Sequence, residues 1–268
     1  MITKDKVTDY IKKIPPTSDA LVQAMKILHD GDLVKAGKVA EEDLALKAYL
    51  TDLMNKPIFG FKQEVTNINQ IFGILGLQSS EQSLYTYMVS LLNPDKWQLF
   101  NLNKNSFHDL QAELTVDWEK ILKHKSVEDK DVSNAISLLP SSIIVTDALF
   151  GDVKNEVTLL RSAKNLDYNT ILQRVSGMTL FDICNLISKK WKMSEKSMEI
   201  VYASSGVKPS TDEDLNELGK WMHLLLFFTL SKPKYIEAGL NDFLTFNAEY
   251  VQDIYMDFMD VLEIEVNR

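Results

Sequence analysis

Apolar residues recur along this chain at the 3.6-residue spacing of buried helix faces. Leu180, Ile183, Cys184, Ile187 and Trp191 form one stripe, and Leu215, Leu218, Met222, Leu225 and Thr229 a second. Val251, Ile254, Tyr255, Phe258 and Leu262 form a third near the C-terminus. Capping residues bracket such runs. Thr17-Ser18-Asp19 opens a helix after Pro15-Pro16, Ser194 caps the helix carrying Met198, Val201 and Tyr202, and Ser210-Thr211-Asp212 opens the next. Strand signals are weak: "SSIIVT" (141–146) is β-branched but has no regular partner, and 10 glycines supply too few turns for a sandwich or barrel. The pattern predicts an all-α protein of about a dozen helices. The polar stretch "NPDKWQLFNLNKNS" (93–106), broken by Pro94, is the best boundary between two helical sub-bundles.

Composition narrows the partners. The net charge of -9 repels nucleic-acid phosphate, and the basic pairs Lys12-Lys13 and Lys189-Lys190 read as solvated helix edges. No nucleic acid is therefore expected. Cys184 is the single cysteine, so no internal disulfide is possible, and it reads as a small buried hydrophobe in a reducing compartment. Lys4 and Lys6 lead into a polar stretch, unlike a secretory signal. The apolar run "LLLFFTL" (224–230) is far shorter than the ~20 residues of a membrane span. The expectation is a cytoplasmic protein without membrane insertion.

Candidate chemistry is sparse. The chain has no Gly-rich phosphate loop, paired CxxC, GxSxG or HExxH. Of four histidines, His124 lies between two lysines and reads as solvated. His223 reads as a satisfied core-edge residue, and His29 as a cation at a helix C-terminus. The remaining one, His108, is followed by Asp109 in "FHDL", the dipeptide spelling of a metal-binding pair. It sits in an amphipathic helix with Phe107, Leu110, Leu114 and Trp118. Adjacent helical residues point about 100° apart, so Asp109 reads equally as solvated. One dipeptide is weak evidence, because a metal centre needs several converging ligands. Trp97, Phe100 and Trp118 raise a separate choice between an exposed adhesive face and a seal between sub-bundles. The seal is favoured, because large aromatics are usually buried.

Three ordered segments carry a resemblance. "IPPTSDALVQAMKIL" (14–28) is similar to the "LPPLP" opening of HDOD domains. "EDLALKAYLTDLMN" (42–55) resembles their "DPALTAKLLRLAN" segment through Asp43, Ala45, Leu46, Ala48, Leu50, Leu53 and Asn55. "FGFKQEVTNINQIFGILGL" (59–77) resembles "YGLPRKITSIEQAIALLGL", sharing Gly60, Thr66, Ile68, Gln70, Leu75, Gly76 and Leu77. The likeness continues more faintly to about residue 205. The resemblance implies an HD-like helical bundle, with an N-terminal sub-bundle at 1–98, an HD-like sub-bundle at 99–205 and a C-terminal helical extension at 206–268.

HDOD domains are relatives of HD phosphohydrolases that generally lack the metal ligands. By the resemblance, His108 falls in the column of the first histidine. Pro140-Ser141 replaces the His-Asp pair, Leu180 stands in a later histidine column and Cys184 in a glycine column. Ser204-Ser205 falls where a closing histidine pair is found in many HD-like domains. His108 is thus a relic ligand position, and Pro140, Ser141, Leu180 and Ser204 mark lost ones. No metal, cofactor or catalytic residue is expected. The leading expectation is a non-catalytic regulatory module in bacterial signal transduction. It would bind a protein partner, or a small ligand in the emptied cleft. The alternative is a divergent metal-dependent phosphohydrolase with a site rearranged from His108, Asp109, Asp147 and Asp182.

Overall fold

The computed structural model describes residues 2–14, 18–60, 63–207, 210–241 and 243–264. Pro15, Pro16 and Thr17, read above as the approach to a helix cap, lie outside the described residues. Every regular element among the described residues is helical. The first half runs α1 (Lys4–Lys12), α2 (Asp19–His29), α3 (Leu33–Ala40), α4 (Leu44–Met54), a 3-10 turn (Pro57–Phe59), α5 (Ile68–Ser90), α6 (Lys104–His124) and α7 (Lys130–Ala135). After a second 3-10 turn (Ile136–Leu138) come α8 (Leu139–Gly151), α9 (Lys154–Lys164), α10 (Tyr168–Ser176), α11 (Leu180–Trp191) and α12 (Glu195–Ala203). The remainder is α13 (Glu213–Leu230), α14 (Pro233–Glu237), α15 (Ala248–Val251) and α16 (Tyr255–Val261).

The helices start where short polar side chains take up free backbone N–H groups. Ser18 accepts from Leu21 N–H, Asp43 from Ala45 and Leu46, Ser194 from Ser197, and Asp212 from Asp214 and Leu215. Two of the residues shared with HDOD segments have clear structural work. Asn55 pairs with both backbone groups of Val65, tying the end of α4 to the loop before α5. Gly76 adopts φ 74°, ψ 179° inside α5, a conformation essentially reserved for glycine, and divides that helix at a kink.

Buried apolar side chains form two clusters. The smaller gathers α2, α3, α4 and α5 with Ala112 of α6. The larger gathers α6 to α16 and, from the opposite end of the chain, Val7 and Ile11 of α1. Between them runs the second half of α5, where every residue from Ser80 to Val89 is buried. Several of its polar side chains make hydrogen bonds across the seam. Gln82 donates to Ser133 O at 2.9 Å, Thr86 meets the Ser137 hydroxyl at 3.3 Å, and Gln111 donates to Thr86 O at 3.0 Å.

"SSIIVT" is part of α8, buried on all sides. Its β-branched residues follow core packing and not a strand period. The helical run 130–151 is long and apolar enough to cross a membrane by composition, yet 89% of its most apolar stretch is buried among other helices. The third apolar stripe is divided between α15 and α16. Val251, Ile254 and Phe258 point inward while Tyr255 is exposed, because α15 packs on α13 whereas α16 also reaches α6. Trp97, Phe100 and Trp118 are buried, not adhesive. Trp97 packs on Phe107 at 5.4 Å, Phe100 on Tyr168 at 5.2 Å, and Trp118 donates to Val132 O.

Candidate functional site

His108 lies in the first turns of α6 and is buried, at 4% exposure. Helix α4 covers it. Tyr49 meets the imidazole edge-on at 5.2 Å, and Asp52 approaches Nδ1 at 3.8 Å. Burial lowers the His108 pKa, with Lys104 adding to the effect and Asp52 opposing it. Asp109 points elsewhere and is bound by the Lys56 ammonium at 2.7 Å. The same ammonium stands 3.9 Å from Asp52. The two carboxylates nearest His108 are thus already served by a fixed cation. A divalent ion beside one imidazole would have to displace it. Around His108 the described residues bring together one imidazole and carboxylates shared with Lys56, short of three metal-ligating side chains.

The other ligand columns occupy closed core. Ser141 is fully buried and its hydroxyl donates to Leu138 O. Pro140 and Leu180 are buried without a donor atom to offer. Cys184 packs into the same place. Its thiol donates to Leu138 O at 3.4 Å, and burial pushes its pKa up to about 12, so it is neither a thiolate nor reactive. Ser204 is fully buried and donates to Val201 O.

The carboxylates of the rearranged site serve backbone. Asp147 on α8 accepts from the N–H groups of Gln98, Leu99 and Phe100, which fixes the linker ahead of α6. Asp182 closes the capping box at the start of α11 with Thr179 and accepts from the Tyr202 hydroxyl at 3.1 Å. The structure therefore gathers neither of them with His108 and Asp109. Among the described residues, no three His, Cys, Asp or Glu side chains are placed to hold a metal ion.

The other histidines are structural. His223 on α13 is fully buried, with Nδ1–H donating to Ser204 O at 2.7 Å and Nε2 accepting from Asn247 N–H at 3.1 Å. His124 is exposed beside Trp221. His29 does end α2, and its Nδ1 lies 2.7 Å from the Lys130 ammonium. Lys190, read above as a solvated edge, donates to the carbonyls of Ile11, Lys12 and Ile14 and clamps α1 onto α11. Tyr49, Asp52 and Lys56 are the site residues that sequence reasoning missed. All three come from the α4 region, and Tyr49 and Asp52 stand inside the segment resembling HDOD domains.

A bundle whose regular elements are all helical among the described residues defines the fold class. The chain belongs to the HDOD domain family, whose pattern it matches over residues 14–206. No curated protein matches it. Among solved structures, it is similar to an HDOD domain protein of unknown function from Geobacter sulfurreducens at 13% identity, TM-score 0.65, covering 96% of this chain and 95% of that one. It is also similar to a protein from Shewanella amazonensis SB2B named as a candidate phosphohydrolase, at 14% identity, TM-score 0.66, covering 97% and 89%. A second protein of that organism, named as a candidate metal-dependent phosphohydrolase, matches at 11% identity, TM-score 0.53, covering 97% and 94%. At these identities the likeness shows the fold.

Proposed function

We propose that this protein is a non-catalytic HDOD-type regulatory module of a bacterial, cytoplasmic signalling pathway that acts by binding a protein partner. In this reading His108 is the remnant of a first metal ligand, and Pro140, Ser141, Leu180 and Ser204 are lost ligand positions. The carrying observation is that these positions are closed off: Ser141, Leu180, Cys184 and Ser204 are each buried, with both serine hydroxyls and the thiol turned onto backbone carbonyls. A solid core leaves outer surfaces, rather than an interior cleft, as the place to recognise something. Function is argued here from the site, because one fold hosts many functions.

The competing reading is a divergent HD-type phosphohydrolase, favoured by the fold shared with proteins named for that activity. The two are separated by incubating purified full-length protein with manganese and phosphate esters, nucleotides or cyclic dinucleotides, alongside elemental analysis of the protein as isolated. The expected result is no turnover above buffer, less than stoichiometric metal, and a melting temperature unmoved by manganese, since a bound ion would stabilise the native state. Turnover that His108→Ala abolishes would replace this proposal with the enzymatic one.

A further inference from the structure

Beyond residue 206, where the family match ends, the chain builds a groove of its own. Two adjoining hollows of about 330 and 380 Å³ share Phe246 and Tyr255 in their walls. The groove is lined by Phe227 and Phe228 of α13, Phe246, and Tyr255, Phe258 and Met259 of α16. Phe246 and Tyr255 are 41% and 42% exposed, so two large rings of the lining face solvent side by side. Together they leave an uncovered apolar strip at the surface of α13 and α16. Phe246 also stacks on His223, with ring planes 10° apart and centroids at 5.6 Å, so the floor is continuous with the buried core.

Charge selects the occupant. One wall is α15 and α16, and residues 248–264 contain Glu249, Asp253, Asp257, Asp260 and Glu263 without a single lysine or arginine. Glu249 lines the groove. Asp253 is engaged by Lys220, while Asp257 and Asp260 stand exposed on the outer side of α16 and add a negative field along that wall. At the opposite end, Lys232 lies over the Phe228 ring and shares the single Glu113 carboxylate with Lys234, so the negative charge is confined to the α15–α16 wall. An apolar floor with an acidic wall suits a helix with apolar residues at i, i+3, i+4 and i+7 and long cationic side chains on its flank.

Building on the partner-binding reading above, we propose that this C-terminal groove is a docking surface for a cationic amphipathic helix of a partner protein. The test uses three fluorescein-labelled peptides of roughly 18 residues, about five helical turns. One is an amphipathic leucine–lysine helix, one its leucine–glutamate counterpart, and one a scrambled peptide of the lysine composition. Binding to the full-length protein is read by fluorescence anisotropy. The leucine–lysine helix is expected to bind, and Phe246→Ser or Tyr255→Ser to weaken it by about tenfold or more. Glu249→Lys with Asp257→Lys is expected to turn the preference toward the glutamate peptide. Equal binding of the scrambled or glutamate peptide, no binding at all, or affinity indifferent to the variants would each overturn the proposal. Thermal melts accompany each variant, and if Phe246→Ser unfolds the protein, Tyr255→Ser and the charge reversal decide. Failure here removes this groove alone, whereas metal-dependent turnover would remove the regulatory reading and leave the groove standing.

Discussion

His223 is held from both sides, donating through Nδ1 to Ser204 O and accepting through Nε2 from Asn247 N–H. Only the neutral ring can do both. Burial lowers its pKa below the usual 6.5, against a smaller opposing effect of the Ser204 carbonyl. His108 is shifted the same way, mainly by burial. The unfolded chain therefore binds more protons than the native one below pH 6.5, so stability from these rings is complete above that value. It is lost as pH falls from there toward the folded-state pKa. Chemical denaturation across pH 5 to 8 is expected to show this decline, and His223→Ala to flatten part of it. At neutral pH the same variant should cost about 1–3 kcal/mol, because it leaves a buried carbonyl and a backbone N–H unpaired. The satisfied state of His223 is legible from its place between Trp221-Met222 and an apolar run. The burial of His108 is not. It depends on Tyr49 and Asp52, more than fifty positions earlier, and helical spacing around residue 108 contains no trace of them.

Among elements, the amphipathic helices were readable and the enclosed ones were not. Helix α11 and the first half of α13 each turn one apolar face inward, and the 3.6-residue stripe reports it directly. Helix α8 and the second half of α5 are buried all round, so no polar face remains to set the phase. In α5 the buried positions include Ser80 and Ser83, which bond carbonyls of α5 itself, and Gln82 and Thr86, whose partners on other elements a linear pattern does not reveal. Asp147 shows the same limit: its role exists only because residues 98–100 fold back over α8. The kink in α5, by contrast, has a local cause. An alanine Cβ at Gly76 would meet nothing within 4 Å, so the cost of Gly76→Ala is conformational and not steric. Forcing φ 74°, ψ 179° on a side-chain-bearing residue is expected to destabilise by about 1–3 kcal/mol, measured as a shift of the urea midpoint. A variant as stable as the parent would mean that α5 can run straight.

For the whole molecule, family membership was legible because three short segments keep their order and spacing, and two of their residues, Asn55 and Gly76, have strict backbone roles. The division of the apolar core was less so, because α1 joins the larger cluster, not the one its neighbours in sequence build. Lys190 is the visible clamp, with its ammonium on three carbonyls at the end of α1. Lys190→Met is expected to leave the global melt nearly unchanged while accelerating hydrogen exchange of the α1 amides, since a local opening then costs less. Unchanged exchange would assign α1's attachment to Val7 and Ile11 alone. This attachment also imposes an order on biosynthesis. The contacts join residues 176 to 179 positions apart. During translation the first helix leaves the ribosome long before its acceptor, and it must wait, undocked, until most of the polypeptide has emerged. Its seating on Lys190 is therefore deferred until α11 has emerged.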